Sequence, residues 1–288
     1  MANTPQNRAK QPKKPTLVTV KSVEDLSSGL RRICFISPEL HHYPEACGGA
    51  HIKLMMPHGE QEAPVLPVMT EKGPRWEDPT AKPLIRTFSL RALRREVGEL
   101  DIEFALHGDS GPATRFALFA QSGDVVAISG PGGPTPMLKP AQRYYMAGDL
   151  TALPAISAML EAMPADSVGY IAILVPEQSA TVAIAHPENV KIEWVIGSAT
   201  QSHRLTDAFL TELSQLEQNA QLDVTQSYFW FGGEESIIVP LRNYAKRELK
   251  AERSQIYAVP YWRYGKDEDA YHQTRHAVID EANTEENN

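Results

Sequence analysis

A chain of 288 residues can hold two domains or one large one, and 42% hydrophobic content suits packed cores rather than disorder. A formal net charge of −8 argues against a general nucleic-acid binder, and no apolar run reaches bilayer-spanning length, so neither nucleic acid nor membrane is an expected partner. The first fifteen residues are basic without the apolar segment of a secretory signal, which makes a cytoplasmic protein the expectation, and Cys34 and Cys47 lack disulfide-framework or metal spacing.

The first half reads as strands. Thr16–Val23, Arg31–Ile36, Ala50–Met56, Pro83–Leu90, Leu100–Leu106 and Val125–Ser129 are rich in β-branched and aromatic residues and are separated by Pro, Gly, Asp and Glu. Six such segments before residue 130 predict a small antiparallel barrel or sandwich. The proline- and charge-rich stretch from Met56 to Lys82 reads as a long loop. The Gly/Pro cluster from Ser129 to Pro136 is a break, so the domains are expected at 16–140 and 141–288.

Beyond the break the period changes. Arg143–Ala147, Ser167–Pro176, Asn189–Ile196 and Gln226–Phe231 read as strands. Leu150–Met163, Leu205–Leu216, Glu234–Glu252 and a final Glu268–Ala282 read as helices, with Pro240 awkward for the third. Alternating strands and helices predict a doubly wound parallel sheet, for an α+β chain of two domains.

Arg86-Thr87-Phe88-Ser89-Leu90-Arg91 is an Arg-x-aromatic-hydroxyl strand, followed by the turn from His107 to Gly111-Pro112-Ala113-Thr114. A flavin needs what these offer: a flat side chain for its ring, a hydroxyl at its edge, and cations and free N–H groups for its pyrophosphate. Each half also reads as an ordinary strand or turn. Gly148-Asp149-Leu150-Thr151-Ala152 lies at a strand-to-helix turn, where Thr151 could cap the helix or hold a phosphate. Gly232-Gly233-Glu234 ends another strand, where a nicotinamide ring could pass close to backbone. Glu177, after the second strand of this domain, would bind a ribose hydroxyl and repel a 2′-phosphate, which leans toward NADH unless Arg204 compensates. Arg242, Lys246 and Lys250 recur every four residues, and Lys53, Arg263 and Lys266 add cations. They form either a solvated face or a wall that receives an anionic ligand.

Taken together, the motifs Arg86–Arg91, His107 with Gly111–Ala117, Gly123-Asp124, Gly130–Gly132, Gly148–Ile156, Trp230–Glu234 and Tyr261–Arg263 resemble the siderophore-interacting proteins, the flavin-dependent ferric-siderophore reductases of the ferredoxin-reductase-like superfamily. The resemblance implies an FAD-binding barrel followed by an NADH- or NADPH-binding α/β domain. It places Arg86, Phe88, Ser89, His107 and Thr114 around FAD, and Thr151 and Glu234 near the nicotinamide cofactor. Phe88-Ser89 departs from the family's frequent Tyr-Thr: stacking survives, but the phenol's hydrogen bond is lost. A ferric siderophore is then the expected substrate, contacted by cations drawn from Lys53, Lys246, Lys250, Arg263 and Lys266. No catalytic side chain or protein-bound metal is expected, since the flavin carries the chemistry. A ferredoxin-type electron donor and a monomeric state complete the expectation. The alternative is a general flavin reductase or electron-transfer flavoprotein that docks a protein partner.

Overall fold

The computed structural model describes residues 14–71, 73–106, 111–266 and 271. Strands β1 (Thr16–Ser27), β2 (Leu30–Ile36) and β3 (His51–Met56) open the chain. A separate hairpin, β4 (Val68–Thr70) with β5 (Gly73–Arg75), follows within the stretch expected as loop. Trp76 Nε1 ties its base to the Val65 carbonyl at 2.8 Å. Then come β6 (Leu84–Arg94), β7 (Glu99–Ala105), helix α1 (Pro112–Phe119) and β8 (Val125–Ile128). The six long strands close a barrel in the order β1-β2-β7-β6-β3-β8.

Alternation explains the barrel's filling. Leu100, Ile102 and Phe104 of β7 point inward with Ile33, Phe35, Ile52 and Leu54. The intervening Asp101 and Glu103 are buried too, because arginines of the neighbouring strands cover them. Arg94 donates to both Asp101 oxygens at 2.7 Å, and Arg32 Nη2 reaches Glu103 Oε1 at 2.5 Å. Strand β6 runs past Leu90 to Arg94, with a register shift between Leu90 and Ala92. That shift re-aims Arg91.

The second half contains β9 (Arg143–Asp149), α2 (Leu153–Ala162), β10 (Val168–Val175), β11 (Val190–Ile196), α3 (His203–Gln218), β12 (Ser227–Glu234), α4 (Glu235–Asn243) and β13 (Ile256–Trp262). All five strands are parallel, in the order β11-β10-β9-β12-β13. Right-handed crossovers then dictate the layers. Connections running outward from β9 to β11 fall on one face; those from β11 back through β12 to β13 fall on the other. Accordingly Tyr144 and Met146 pack with α2, whereas Tyr145 and Ala147 pack with Phe209 of α3 and Leu241 of α4. The expected architecture is the one observed.

Three elements differ from expectation. Strand β13 had no counterpart; it lies at the sheet edge, where Pro260 removes no needed donor. The helix expected over Glu234–Glu252 stops as α4 at Asn243, continues as a π-helical stretch over Tyr244–Glu248, and ends before Lys250 at φ 55°. Pro240 lies inside α4, so the chain loses one helical donor just ahead of the widened turn. The helix expected over Glu268–Ala282 lies outside the described residues apart from Tyr271.

The two halves share a core. Leu30 of the barrel, together with Leu26 and Ala105, packs in the cluster formed by α2 and one face of the sheet.

Candidate functional site at the strand-order reversal

In an open parallel sheet, ligands bind beyond the carboxyl ends of strands where the strand order reverses. Here that point lies between β9 and β12, and both strands end in glycine: Gly148-Asp149 and Gly232-Gly233-Glu234. Each glycine answers a steric demand. A side chain at Gly148 would strike the Gly232 carbonyl, and one at Gly233, where φ is 127°, would lie 2.7 Å from Asp149 Oδ2.

Asp149 organises this end of the sheet. Its Oδ1 accepts from the Thr151 N–H at 2.8 Å and the Thr151 hydroxyl at 2.5 Å. Its Oδ2 accepts from the Glu234 N–H at 2.8 Å and Trp262 Nε1 at 2.9 Å. Burial pushes its pKa up, and these hydrogen bonds oppose the rise without cancelling it. Thr151 thus folds back onto Asp149 as a tight turn, and α2 starts at Leu153 rather than at Leu150. Glu234 caps α4: its Oε2 accepts from the Ser236 N–H at 2.5 Å and from the Ser236 hydroxyl, while Oε1 accepts from the Tyr264 N–H at 3.1 Å. Glu235 receives Arg263 at 3.1 Å and the Tyr271 hydroxyl at 2.9 Å. The carboxylates of Asp149 and Glu234 are therefore engaged with protein donors. What they leave to a ligand is the shape of the two turns, with half-buried Thr151 at the surface and Ala152 packed in the core behind it.

On the barrel side, β6 pairs with β3 so that Thr87 stands opposite Lys53 and Ser89 opposite His51. Thr87 and Lys53 are exposed, Arg86 and Phe88 half-buried, Ser89 and Leu90 buried. The Phe88 ring meets Phe104 at 4.6 Å between centroids, and Phe104 meets Phe116 of α1 at 6.1 Å, so an aromatic run ties β6 to α1. Helix α1 begins at Gly111 and Pro112, and no side chain among the described residues caps it. The N–H groups of Ala113 and Thr114 lack intrahelical acceptors, as first-turn donors must. At the other end, Arg31 Nη1 donates to the carbonyls of Ala117 and Leu118 at 2.9 Å. Among the described residues this helix start presents first-turn N–H donors of the kind that attract anions. His107 lies outside the described residues.

Several sequence candidates fall elsewhere. Arg91 turns toward α2 and pairs with Glu161, its Nη1 and Nη2 lying 2.8 and 2.5 Å from the two carboxylate oxygens. Glu177 accepts from the Ser28 hydroxyl of the barrel at 3.0 Å, and hydrogen bonds from Ser179 and Ser28 hold its pKa below the usual carboxylate range. It reaches across the domain junction while remaining exposed and ionised. Lys246 and Lys250 are not brought to the site. Helix α4 starts at the carboxyl end of the sheet and runs back to the amino end, where Gln255 Nε2 donates to the Ser227 carbonyl at 3.1 Å. The expected four-residue row of cations fails because the π-helical stretch shifts its phase and Lys250 leaves the helix. Arg263 and Lys266 lie at the carboxyl end and are exposed. Sequence reasoning missed Trp262 as the donor to Asp149, and Glu161 and Ser28 as junction partners. No local pattern marks such distant pairs.

A barrel with a short helix, joined to a parallel sheet with glycine turns at its reversal, defines a two-domain protein whose ligand site is expected at that reversal. Comparison with known proteins specifies it further. Residues 19–135 match the siderophore-interacting FAD-binding domain and residues 141–265 the siderophore-interacting protein domain, and the chain belongs to that family. It is 37% identical over 93% of its length to the ferric vibriobactin reductase ViuB of Vibrio cholerae, covering 96% of that protein. It is 27% identical to the NADPH-dependent ferric-chelate reductase of Escherichia coli, over 91% of this chain and 99% of that one. Its fold matches the crystal structure of the siderophore-interacting protein SipS from Aeromonas hydrophila with a TM-score of 0.79 and 50% identity, over 93% and 98% of the two chains.

Proposed function

We propose that this protein is a ferric-siderophore reductase, with residues 16–140 holding FAD and residues 141–288 receiving the nicotinamide cofactor. The observation that carries the reading is positional. The two glycine turns meet at the strand-order reversal, and the helix leaving one of them, α2, packs along β6. When bound, FAD accepts a hydride from NAD(P)H and passes single electrons to siderophore iron(III), which is released as the more weakly held iron(II).

The chain's own residues bind and orient. The N–H groups of Ala113 and Thr114, with Arg86, hold the pyrophosphate; Phe88 supplies an apolar wall, and Thr87, Ser89 and Leu90 hydroxyls or backbone. Thr151, Ala152 and the Gly232–Glu234 backbone shape the slot for the nicotinamide, while Asp149 and Glu234 keep that slot rigid. The likeness to an NADPH-dependent ferric-chelate reductase makes NADPH the donor to test first, with NADH beside it because Glu177 stays ionised. Lys53, Arg263 and Lys266 remain as cations for an anionic chelate. Two buried unpaired thiols suit the reducing cytoplasm.

The test is direct. Purified protein should be yellow with stoichiometric FAD, should bleach anaerobically with NADPH, and should generate iron(II) from a ferric siderophore, read with a ferrous chelator. A colourless protein that takes up no added FAD, or a flavoprotein that leaves the chelate ferric, removes the proposal.

A further inference from the structure

Polar contacts among the described residues tie the halves together at several places, of which two concern the site. One is the turn between β1 and β2, where Ser27 donates to the Ala180 carbonyl at 3.1 Å and Ser28 to Glu177. The other is Arg91. It lies two residues beyond Ser89 on β6, at the register shift, and its fork grips Glu161 in the last turn of α2. Its Nε lies 3.3 Å from Glu103 Oε1, a carboxylate that Arg32 also holds. The Arg91 and Glu103 side chains are only 11% and 2% exposed, whereas Glu161 is 43% exposed at the rim. Arg91 Nε makes no hydrogen bond there, so Glu103 faces the guanidinium only as a nearby buried charge, and the planar fork to Glu161 sets its orientation.

This pair joins two particular elements. Strand β6 carries the candidate flavin residues, and α2 starts directly after the Asp149–Thr151 turn. Strand β6 and α2 pack side by side, and the turn ahead of β3 closes on the same helix, with Gly48 against Ala158 and Gly49 near the Ala155 carbonyl. Ala155 and Ala158 are small and apolar, so the contact supplies closeness without a lock against sliding. The bidentate ion pair supplies the lock.

We propose that Arg91 and Glu161 form an interdomain clamp that sets how the nicotinamide turn faces the flavin strand, Arg91 being a positioning residue rather than a cofactor ligand. The clamp rests on the reading of β6 and of the Asp149–Thr151 turn given above. It acts on alignment and not on retention of either cofactor. Misplacement of about 1 Å between reacting groups lowers a rate by up to ~100-fold. The step that needs both halves therefore suffers, and steps confined to one half do not.

The experiment uses the full-length FAD-loaded protein and the variants Glu161→Ala and Glu161→Asp, which leave Arg91 and its strand intact. Stopped-flow flavin reduction at saturating NADPH should slow roughly tenfold in Glu161→Ala, within the range expected of misplaced reactants. FAD content and reoxidation of the reduced protein by ferricyanide, which needs no docking, should stay at wild-type values. Glu161→Asp keeps the carboxylate and should recover most of the rate. A second readout requires no turnover. Cysteines placed at the exposed positions Ser122 and Asn219 carry spin labels, and their distance distribution should broaden in Glu161→Ala. An unchanged distribution overturns the clamp, as does loss of FAD or an equal fall in both half-reactions. If wild-type protein is not reduced by NADPH at all, the functional reading fails while the spin-label measurement still decides the clamp.

Discussion

Asp149 carries the most consequential arrangement of single atoms. Each of its oxygens faces two donors, so a side chain with an amide N–H₂ at either position points a donor at donors. Asp149→Asn should accordingly destabilise the fold by about 2 kcal/mol even though it removes a buried charge, because unsatisfied buried donors outweigh the relieved desolvation. Thermal denaturation checks this, and an unchanged melting temperature would contradict it. The sequence placed Asp149 correctly at a strand-to-helix turn, but its role was not legible there, because Trp262 reaches it across 113 positions. Arg91 teaches the same lesson: its strand could be read, whereas its partner on α2 could not. The cysteines allow a second test at this scale. Burial pushes the Cys34 and Cys47 thiols up to about 11. At pH 8 roughly one thiol in a thousand is then ionised, so Ellman's reagent should find almost none in the folded protein and two after unfolding. Fast labelling of either thiol in native protein would refute the burial.

Among the elements, α1 is short and depends on its ends. At eight residues it falls below the length at which a helix holds itself, and Arg31 Nη1, its guanidinium held from the other side by Asp25, supplies what the last turn lacks. Arg31→Ala should fray the carboxyl end of α1 at a cost of about 1 kcal/mol. Hydrogen exchange should accelerate at Ala117 to Ala120, and FAD should dissociate faster as the opposite end loosens. Unaltered exchange would show that the Phe104–Phe116 contact alone holds the helix. Period-two alternation revealed the barrel strands because one face of each is apolar. A strand-forming composition was present in β13 as well, where Ile256, Val259 and the aromatics Tyr257, Tyr261 and Trp262 favour a strand, but Pro260 masks it; as an edge strand beside β12 it tolerates that proline. The α4 boundary was overrun for a related reason. Residues 244–248 have helical propensity, and the change from α to π winding leaves no compositional trace.

For the whole molecule, the halves adhere through groups that titrate. Glu177 has a depressed pKa in the folded state, so its contribution is present above the unfolded value near 4.3 and disappears as pH falls through the folded value. Ser28→Ala removes one cause of that depression. Its melting temperature should sit slightly below wild type at pH 7, and the difference should shrink as pH falls below the unfolded glutamate value. A constant difference across pH would mean that Ser28 acts through its hydroxyl contact with Ser179 instead. The order of the domains was readable from the change of period near residue 140. How they meet was not, since that depends on chain segments far apart in sequence.

One connection in the sheet has a further implication. Between β10 and β11 the chain makes only a single 3-10 turn, Gln178–Ala180, where the neighbouring crossovers carry full helices. Leu26, Leu30 and Ala105 of the barrel lie over that bare patch with Ile171, Ile173 and Val175. The barrel is thus one of the sheet's own roofing layers. Exchange of either half between relatives should succeed only when the β1–β2 turn travels with the sheet it shelters.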